Sequence, residues 1–247
     1  MKIAVLGDIH SNLEALTAVL EETERLGCEK YVCIGDIVGY NANPKECIEI
    51  VRSLDLLGVV MGNHDSYTSN SQELIGFNLQ AAQAVEWTRK QLSEEELQWL
   101  GELPLKRDIF LTSPSARFSI VHSTMDNPGM WGYIFDRYTA AASMQYQCTP
   151  LCLFGHTHTP LAFDKTDEIE GGLYESLQIL PNHKYLINVG SVGQPRDRDP
   201  RAAFAIYDVE ASAVSLHRVE YDIEESQRKI LAAGLPERLA ERLSYGR

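Results

Sequence analysis

The chain has 247 residues, 44% apolar and 23% charged, the balance of a globular protein with a full core of its own. Its net charge of −13 repels polynucleotide backbones and anionic lipid, so nucleic acid is a disfavoured partner. No apolar stretch is long enough to span a bilayer, and the start lacks the long apolar core of a signal peptide. A cytoplasmic protein without membrane contact is expected.

Ile3 to Leu6 is a short apolar run that predicts a buried strand, ending at Gly7-Asp8-Ile9-His10. Ser11 and Asn12 are N-cap residues for a helix with Leu13, Leu16, Val19 and Leu20 on one face, closed by Gly27. Tyr31 to Ile34 predicts a second strand, ending at Gly35-Asp36. Pro44 suits the first turn of a helix carrying Cys47, Ile48, Val51 and Leu54. Leu56 to Met61 predicts a third strand, ending at Gly62-Asn63-His64-Asp65. This alternation, with polar residues at each strand's carboxyl end, is an α/β pattern.

Residues 69–103 read differently, as two helices broken near Ser93, where Ser93 to Glu96 resembles a capping box. They are expected to form a helical layer or a lid on one domain spanning 1–247. Strands are predicted near Asp108 to Leu111, Phe118 to Val121 and Leu151 to Phe154, with a helix near Asp136 to Tyr146. Four further strands follow, at Leu161 to Phe163, Tyr185 to Val189, Ala202 to Tyr207 and Ala213 to Val219. Two helices close the chain. The five cysteines are odd in number and contain no CxxC pair, and Cys33, Cys47 and Cys152 sit in apolar runs. Buried reduced thiols are expected.

Five of the seven histidines, His10, His64, His122, His156 and His158, fall at or just after strand ends, together with Asp8, Asp36 and Asn63. Parallel strands bring such positions to one edge of a sheet. Asp8 and His10 are two apart, as are His156 and His158. In extended backbone each pair would point to one side and clasp an ion. An imidazole and oxygen set without thiolate suits Mn²⁺, Fe²⁺, Zn²⁺, Co²⁺ or Ni²⁺.

The runs Gly7-Asp8-Ile9-His10, Gly35-Asp36-Ile37-Val38-Gly39, Gly62-Asn63-His64-Asp65, strand-end His122 and Gly155-His156-Thr157-His158 resemble, in order, the motifs of the calcineurin-like metallophosphoesterase superfamily. They span about two-thirds of the chain. Residues Asn188 to Arg196 resemble its small bacterial and archaeal branch, which includes phosphodiesterases and diadenosine-tetraphosphate hydrolases. The resemblance implies a four-layer α/β (α+β) fold, a β-sandwich flanked by helices; the strand order fits a flat doubly wound sheet equally. It also implies two divalent cations, one on Asp8, His10 and His158, the other on Asn63, His122 and His156, with Asp36 bridging. Ser123 and Asn41 depart from the family pattern beside the site, which bears on substrate preference.

Two such ions roughly 3.5–4 Å apart lower the pKa of a shared water, and the resulting hydroxide attacks phosphorus. The expected activity is hydrolysis of a phosphodiester or dinucleoside polyphosphate, with small phosphorylated compounds, nucleotides among them, as substrates. A phosphomonoesterase and a non-catalytic metal-binding scaffold are the alternatives. His64, as an imidazolium, is the candidate general acid, with Asp65 orienting it. Arg196 either pairs with substrate phosphate or forms a surface salt bridge with Asp197 or Asp199. Asn12 either reaches phosphate or is a plain N-cap. The aromatics between Met130 and Tyr138 either stack a nucleobase or pack under a loop. Nothing in the sequence speaks to oligomeric state.

Overall fold

Side-chain alternation along the strands builds the layers. In β1 (Lys2–Leu6), Ile3 and Val5 enter one apolar cluster while Leu6 enters another. In β2 (Lys30–Cys33), Val32 and Cys33 divide the same way. A strand whose two faces are both apolar must be covered on both sides. The computed structural model, which describes residues 1–70, 73–74, 77–111 and 117–247, meets that demand with two six-stranded sheets and helices outside each.

The remaining strands are β3 (Leu56–Val59), β4 (Lys106–Phe110), β5 (Arg117–Val121), β6 (Leu151–Phe154), β7 (Leu161–Lys165), β8 (Ile169–Gly172), β9 (Ser176–Gln178), β10 (Lys184–Asn188), β11 (Ala202–Asp208) and β12 (Ala213–Val219). One sheet has the order β3-β2-β1-β11-β12-β9, the other β4-β5-β6-β10-β7-β8. Strands β1, β2 and β3 run parallel, as do β5, β6 and β10. Ile3, Val5, Val32 and Ile34 meet Phe118, Ile120, Leu153 and Ile187 between the sheets.

The helices are α1 (Leu13–Arg25), α2 (Pro44–Ser53), α3 (Asn63–Ser69), α4 (Leu79–Gln91), α5 (Glu94–Gly101), α6 (Arg137–Met144), α7 (Ile223–Ala232) and α8 (Glu237–Glu241). Leu16 and Val19 of α1, Ile48 and Val51 of α2 and Leu100 of α5 cover the outer face of the first sheet. Ala140 and Met144 of α6 cover the second. This is the four-layer sandwich, and it rules out the flat doubly wound sheet.

One α-helix and two strands among the described residues went unpredicted. Helix α3 is polar throughout and offers no apolar period, but Asp65 accepts the Gly62 N–H at 3.0 Å and starts it. Strands β8 and β9 are sheet edges of four and three residues without apolar alternation. Within 69–103, α4 and α5 form. The Ser93 capping box is present, with Glu96 accepting the Ser93 N–H at 2.7 Å. Part of that expected helical region, residues 71–72 and 75–76, lies outside the described residues. Ala81 and Ala84 of α4 join Tyr40 and the C-terminal Leu235, Leu239 and Leu243 in a separate cluster. No helix among the described residues is long and apolar enough to cross a membrane.

Candidate metal centre

The loops after β1, β2, β3, β5 and β6 meet at one edge of the sandwich. They bring Asp8, His10, Asp36, His122, His156 and His158 together, all at most 5% exposed. Asp8, His10, Asp36 and His158 form one group of ligand atoms within 4.8 Å of one another. Asp36, His122 and His156 form a second, and only Asp36 is in both. Its Oδ2 lies 3.5 Å from His10 Nε2 and 3.4 Å from His122 Nε2. Asn63 Oδ1 lies 3.3 Å from His122 Nε2, on the second group's side.

The paired ligands converge, but not through extended backbone. Asp8, His10, Asp36, His156 and His158 all have positive φ, between 49° and 68°. Each such left-handed residue costs about 1–2 kcal/mol. Cross-links hold the strain in place. Asp8 N donates to Gly35 O at 3.1 Å, His10 N to Asp36 O at 2.9 Å, and His156 N to both Asp8 carboxylate oxygens at 3.2 and 3.0 Å. Gly155 is required beside that carboxylate, since a Cβ there would stand 2.6 Å from Asp8 Oδ2.

Hydrogen bonds to main-chain carbonyls fix the tautomers, because a carbonyl oxygen only accepts. His10 Nδ1 donates to Val38 O at 3.1 Å and His158 Nδ1 to Gln194 O at 2.6 Å. His122 Nδ1 donates to Ile34 O at 2.8 Å, and His156 Nε2 to Trp131 O at 2.9 Å. The remaining nitrogens of the neutral rings are therefore lone pairs, and they face each other. His10 Nε2 and His158 Nε2 are 3.1 Å apart, as are His122 Nε2 and His156 Nδ1. Acceptor against acceptor at that distance, with two carboxylates beside them, is repulsive unless a cation or a proton intervenes. The donor set, imidazole nitrogens with carboxylate oxygens, fits divalent cations.

Protonation behaviour follows the same logic. Burial holds His10 well below the usual histidine range and pushes His156 to about 3. Burial also presses on His122, but the Asp36 carboxylate prevails and raises it to about 9, so in the cation-free cluster a proton sits where positive charge is wanted. Burial would raise Asp36, yet His122 and His64 hold it well below the usual carboxylate range.

His64 lies against this cluster. Its ring is 4.8 Å from His10, 4.4 Å from Tyr40 and 5.2 Å from Phe77, and its Nδ1 is buried without a partner. Burial pushes it down to about 4, which corrects the imidazolium expected from the sequence: the ring is neutral near pH 7. Asp65 does not orient it. The Asp65 carboxylate accepts the N–H groups of Ile37, Val38 and Gly62 instead.

The two expected phosphate contacts part ways. Asn12 is fully buried and caps α1: Oδ1 accepts from Ala15 N at 3.2 Å and Ser226 Oγ at 3.0 Å, and Nδ2 donates to Gly193 O at 2.9 Å. Its Oδ1 and one Nδ2 hydrogen are engaged within the fold, the geometry of a helix cap. Arg196 forms no salt bridge with Asp197 or Asp199, which pair with Arg218 and Arg201. It donates to Gln194 Oε1 at 2.9 Å and to Tyr40 OH at 3.3 Å, and its Nε is buried without a partner.

Other residues brace the loops. Asn188 donates to Gly155 O at 2.6 Å and Thr157 Oγ1 at 3.0 Å, and Ser191 to Asp8 O at 2.8 Å. Asn41 donates from its side chain to His10 O at 2.7 Å, and Ser123 to Pro128 O at 2.9 Å. Sequence reasoning missed Tyr40, whose ring stands 4.6 Å from His10; no spacing rule singles out one tyrosine in a loop. Tyr133, stacked on His156 at 4.2 Å, sat in the noted aromatic run without an assigned contact.

Comparison with known proteins agrees with this geometry. The calcineurin-like phosphoesterase superfamily domain matches residues 1–212. An uncharacterized protein of Methanocaldococcus jannaschii is 41% identical over 248 residues, covering 99% of this chain and 98% of the relative. The crystal structure of a metallophosphoesterase from Sphaerobacter thermophilus superposes with a TM-score of 0.84 at 37% identity, covering 100% of this chain and 99% of that one. A hypothetical protein of Pyrococcus horikoshii superposes at 0.80 and 25% identity, covering 100% and 98%. The chain belongs to the calcineurin-like phosphoesterase superfamily.

Proposed function

We propose that this protein is a two-metal hydrolase of phosphodiesters or dinucleoside polyphosphates. The observation that carries the reading is the two pairs of facing imidazole nitrogens, each 3.1 Å apart, with Asp36 common to both groups of ligand atoms. Asp8, His10 and His158 would hold one cation; Asn63, His122 and His156 the other; Asp36 both. Bound there, divalent cations supply an activated water and charge stabilisation for phosphoryl oxygens. Mn²⁺, Fe²⁺, Zn²⁺, Co²⁺ and Ni²⁺ all suit the donors.

The chain's own residues do the rest. Arg196, which pairs with no carboxylate among the described residues, offers its guanidinium to a substrate phosphate. His64, neutral, donates a hydrogen bond to the departing oxygen rather than a full proton from an imidazolium. Tyr133 and Phe135 are 50% and 57% exposed, lie parallel with centroids 5.6 Å apart, and extend outward from His156. Such rings favour a substrate bearing a nucleobase. We read 1–247 as one domain, with 69–103 a packed layer, since Leu92 and Leu100 belong to its core. Cytoplasmic residence fits the three buried thiols among five free cysteines.

Turnover of bis(p-nitrophenyl) phosphate by the full chain with added Mn²⁺ tests the reading. Metal-dependent release of p-nitrophenol is expected. Metal binding without turnover of any diester, monoester or dinucleoside polyphosphate would leave a non-catalytic scaffold.

A further inference from the structure

Tyr40 links the metal centre to the C-terminal segment. One edge of its surroundings is His10; the other is a pair of arginines, with Arg196 5.6 Å and Arg242 5.9 Å from the ring centroid. Two guanidinium groups around one ring repel each other and call for anionic charge. Yet among the described residues no side-chain carboxylate lies within 4.0 Å of Arg196, Arg238 or Arg242. Arg242 Nε donates to a main-chain carboxylate oxygen of Arg247, whereas among the described residues Arg196 Nε is buried with no partner. Burial, then Arg196, hold the Arg242 guanidinium down to about 10.

A cavity of about 560 Å³ opens beside Arg242, with Arg238, Arg247, Asn78 and Gln80 on its walls and Glu241 as an acidic residue among them. Three arginines against one glutamate stand out in a chain of net charge −13. The guanidinium groups and the Asn78 and Gln80 amides supply donors for a phosphate, with the Leu239 and Tyr245 side chains beside them.

We propose that this pocket is a second anion subsite, which receives a phosphate of the substrate other than the one undergoing hydrolysis. Rested on the phosphoesterase reading above, it narrows the substrate class to polyphosphate-bearing compounds. Tyr40 lies between the metal centre and this pocket, with His10 against one side of its ring and Arg242 against another.

Isothermal titration of the metal-stripped full chain with inorganic tripolyphosphate, and separately with orthophosphate, tests the subsite. Tripolyphosphate is expected to bind at least about tenfold more tightly than orthophosphate. Arg238→Ala combined with Arg242→Ala should weaken it by at least about tenfold. Because Arg242 packs on Tyr40, the exposed pair Arg238→Glu and Arg247→Glu is the second variant, and it should weaken binding in the same direction. Equal affinity for the two anions, or tripolyphosphate binding unmoved in the charge-reversed variant, would overturn the proposal. Bis(p-nitrophenyl) phosphate carries a single phosphate, so its turnover judges the metal reading alone and the two failures stay distinguishable.

Discussion

Asp36 and His64 are joined through the main chain: Asp36 Oδ1 accepts the His64 N–H at 2.8 Å. That bond turns Oδ2 toward His10 and His122, where it stands between the two ligand groups. Asparagine at 36 could keep only one oxygen. With that oxygen on the His64 N–H, its NH₂ would face the imidazole lone pairs and the shared anion would be lost. Asp36→Asn should therefore lose at least one of two bound ions and on the order of 100-fold or more in turnover. Elemental analysis beside kinetics checks both; full metal content would contradict the shared role.

Gly39 holds a positive φ of 96°, and a Cβ there would lie 2.4 Å from His64 Nδ1. Gly39→Ala should displace the His64 ring without touching a metal ligand, lowering kcat about tenfold at unchanged metal content. His64→Ala should cost more on substrates with alcohol leaving groups than on acidic phenols. Equal losses on both classes would remove His64 from leaving-group assistance.

Acid should destabilise the cation-free protein. His64 and His156 are held by burial at about 4 and about 3, against an ordinary 6.5. Below 6.5 the unfolded chain takes up protons that the folded chain refuses, so stability falls as pH drops from 6.5 toward 4. His122, lifted by Asp36 to about 9, acts oppositely: its contribution is complete below 6.5 and fades as pH rises through 9. The Tm of metal-stripped protein should peak near pH 6.5 and decline on both sides, more steeply in acid, where several buried histidines act together. A flat profile from pH 4 to 7 would contradict the burial of these rings.

Arg196 reaches Tyr40 OH and Gln194, and among the described residues no carboxylate neutralises it. Arg196→Ala should raise KM for diester substrates by about tenfold with a smaller change in kcat. Arg196→Lys should recover only part of this, because an ammonium lacks the planar fork. Full recovery by lysine would reduce the contact to simple charge.

The centre's participants could be read from the chain because each follows a short apolar strand. Parallel strands such as β1, β2 and β6 send their carboxyl ends to one edge whatever the loop geometry. How they converge could not be read. Left-handed backbone at Asp8, His10, His156 and His158 leaves no mark in residue spacing, so the extended clasp expected from that spacing is not how these side chains meet. Asn12 shows the limit from the other side. A cap and a phosphate ligand look alike in sequence, and only its bonds to Ala15, Ser226 and Gly193 decide between them. Tyr40 and Arg242 meet across some two hundred residues, a contact set by packing of the C-terminal helices rather than by any local pattern.

Metal stoichiometry of the intact chain is the most direct measurement. Native mass spectrometry after reconstitution with Mn²⁺ or Zn²⁺, read against an EDTA-treated control, should give two ions per chain. A chain that takes up none, or saturates at one with His122, Asn63 and His156 still intact, would contradict a centre built for a pair of cations.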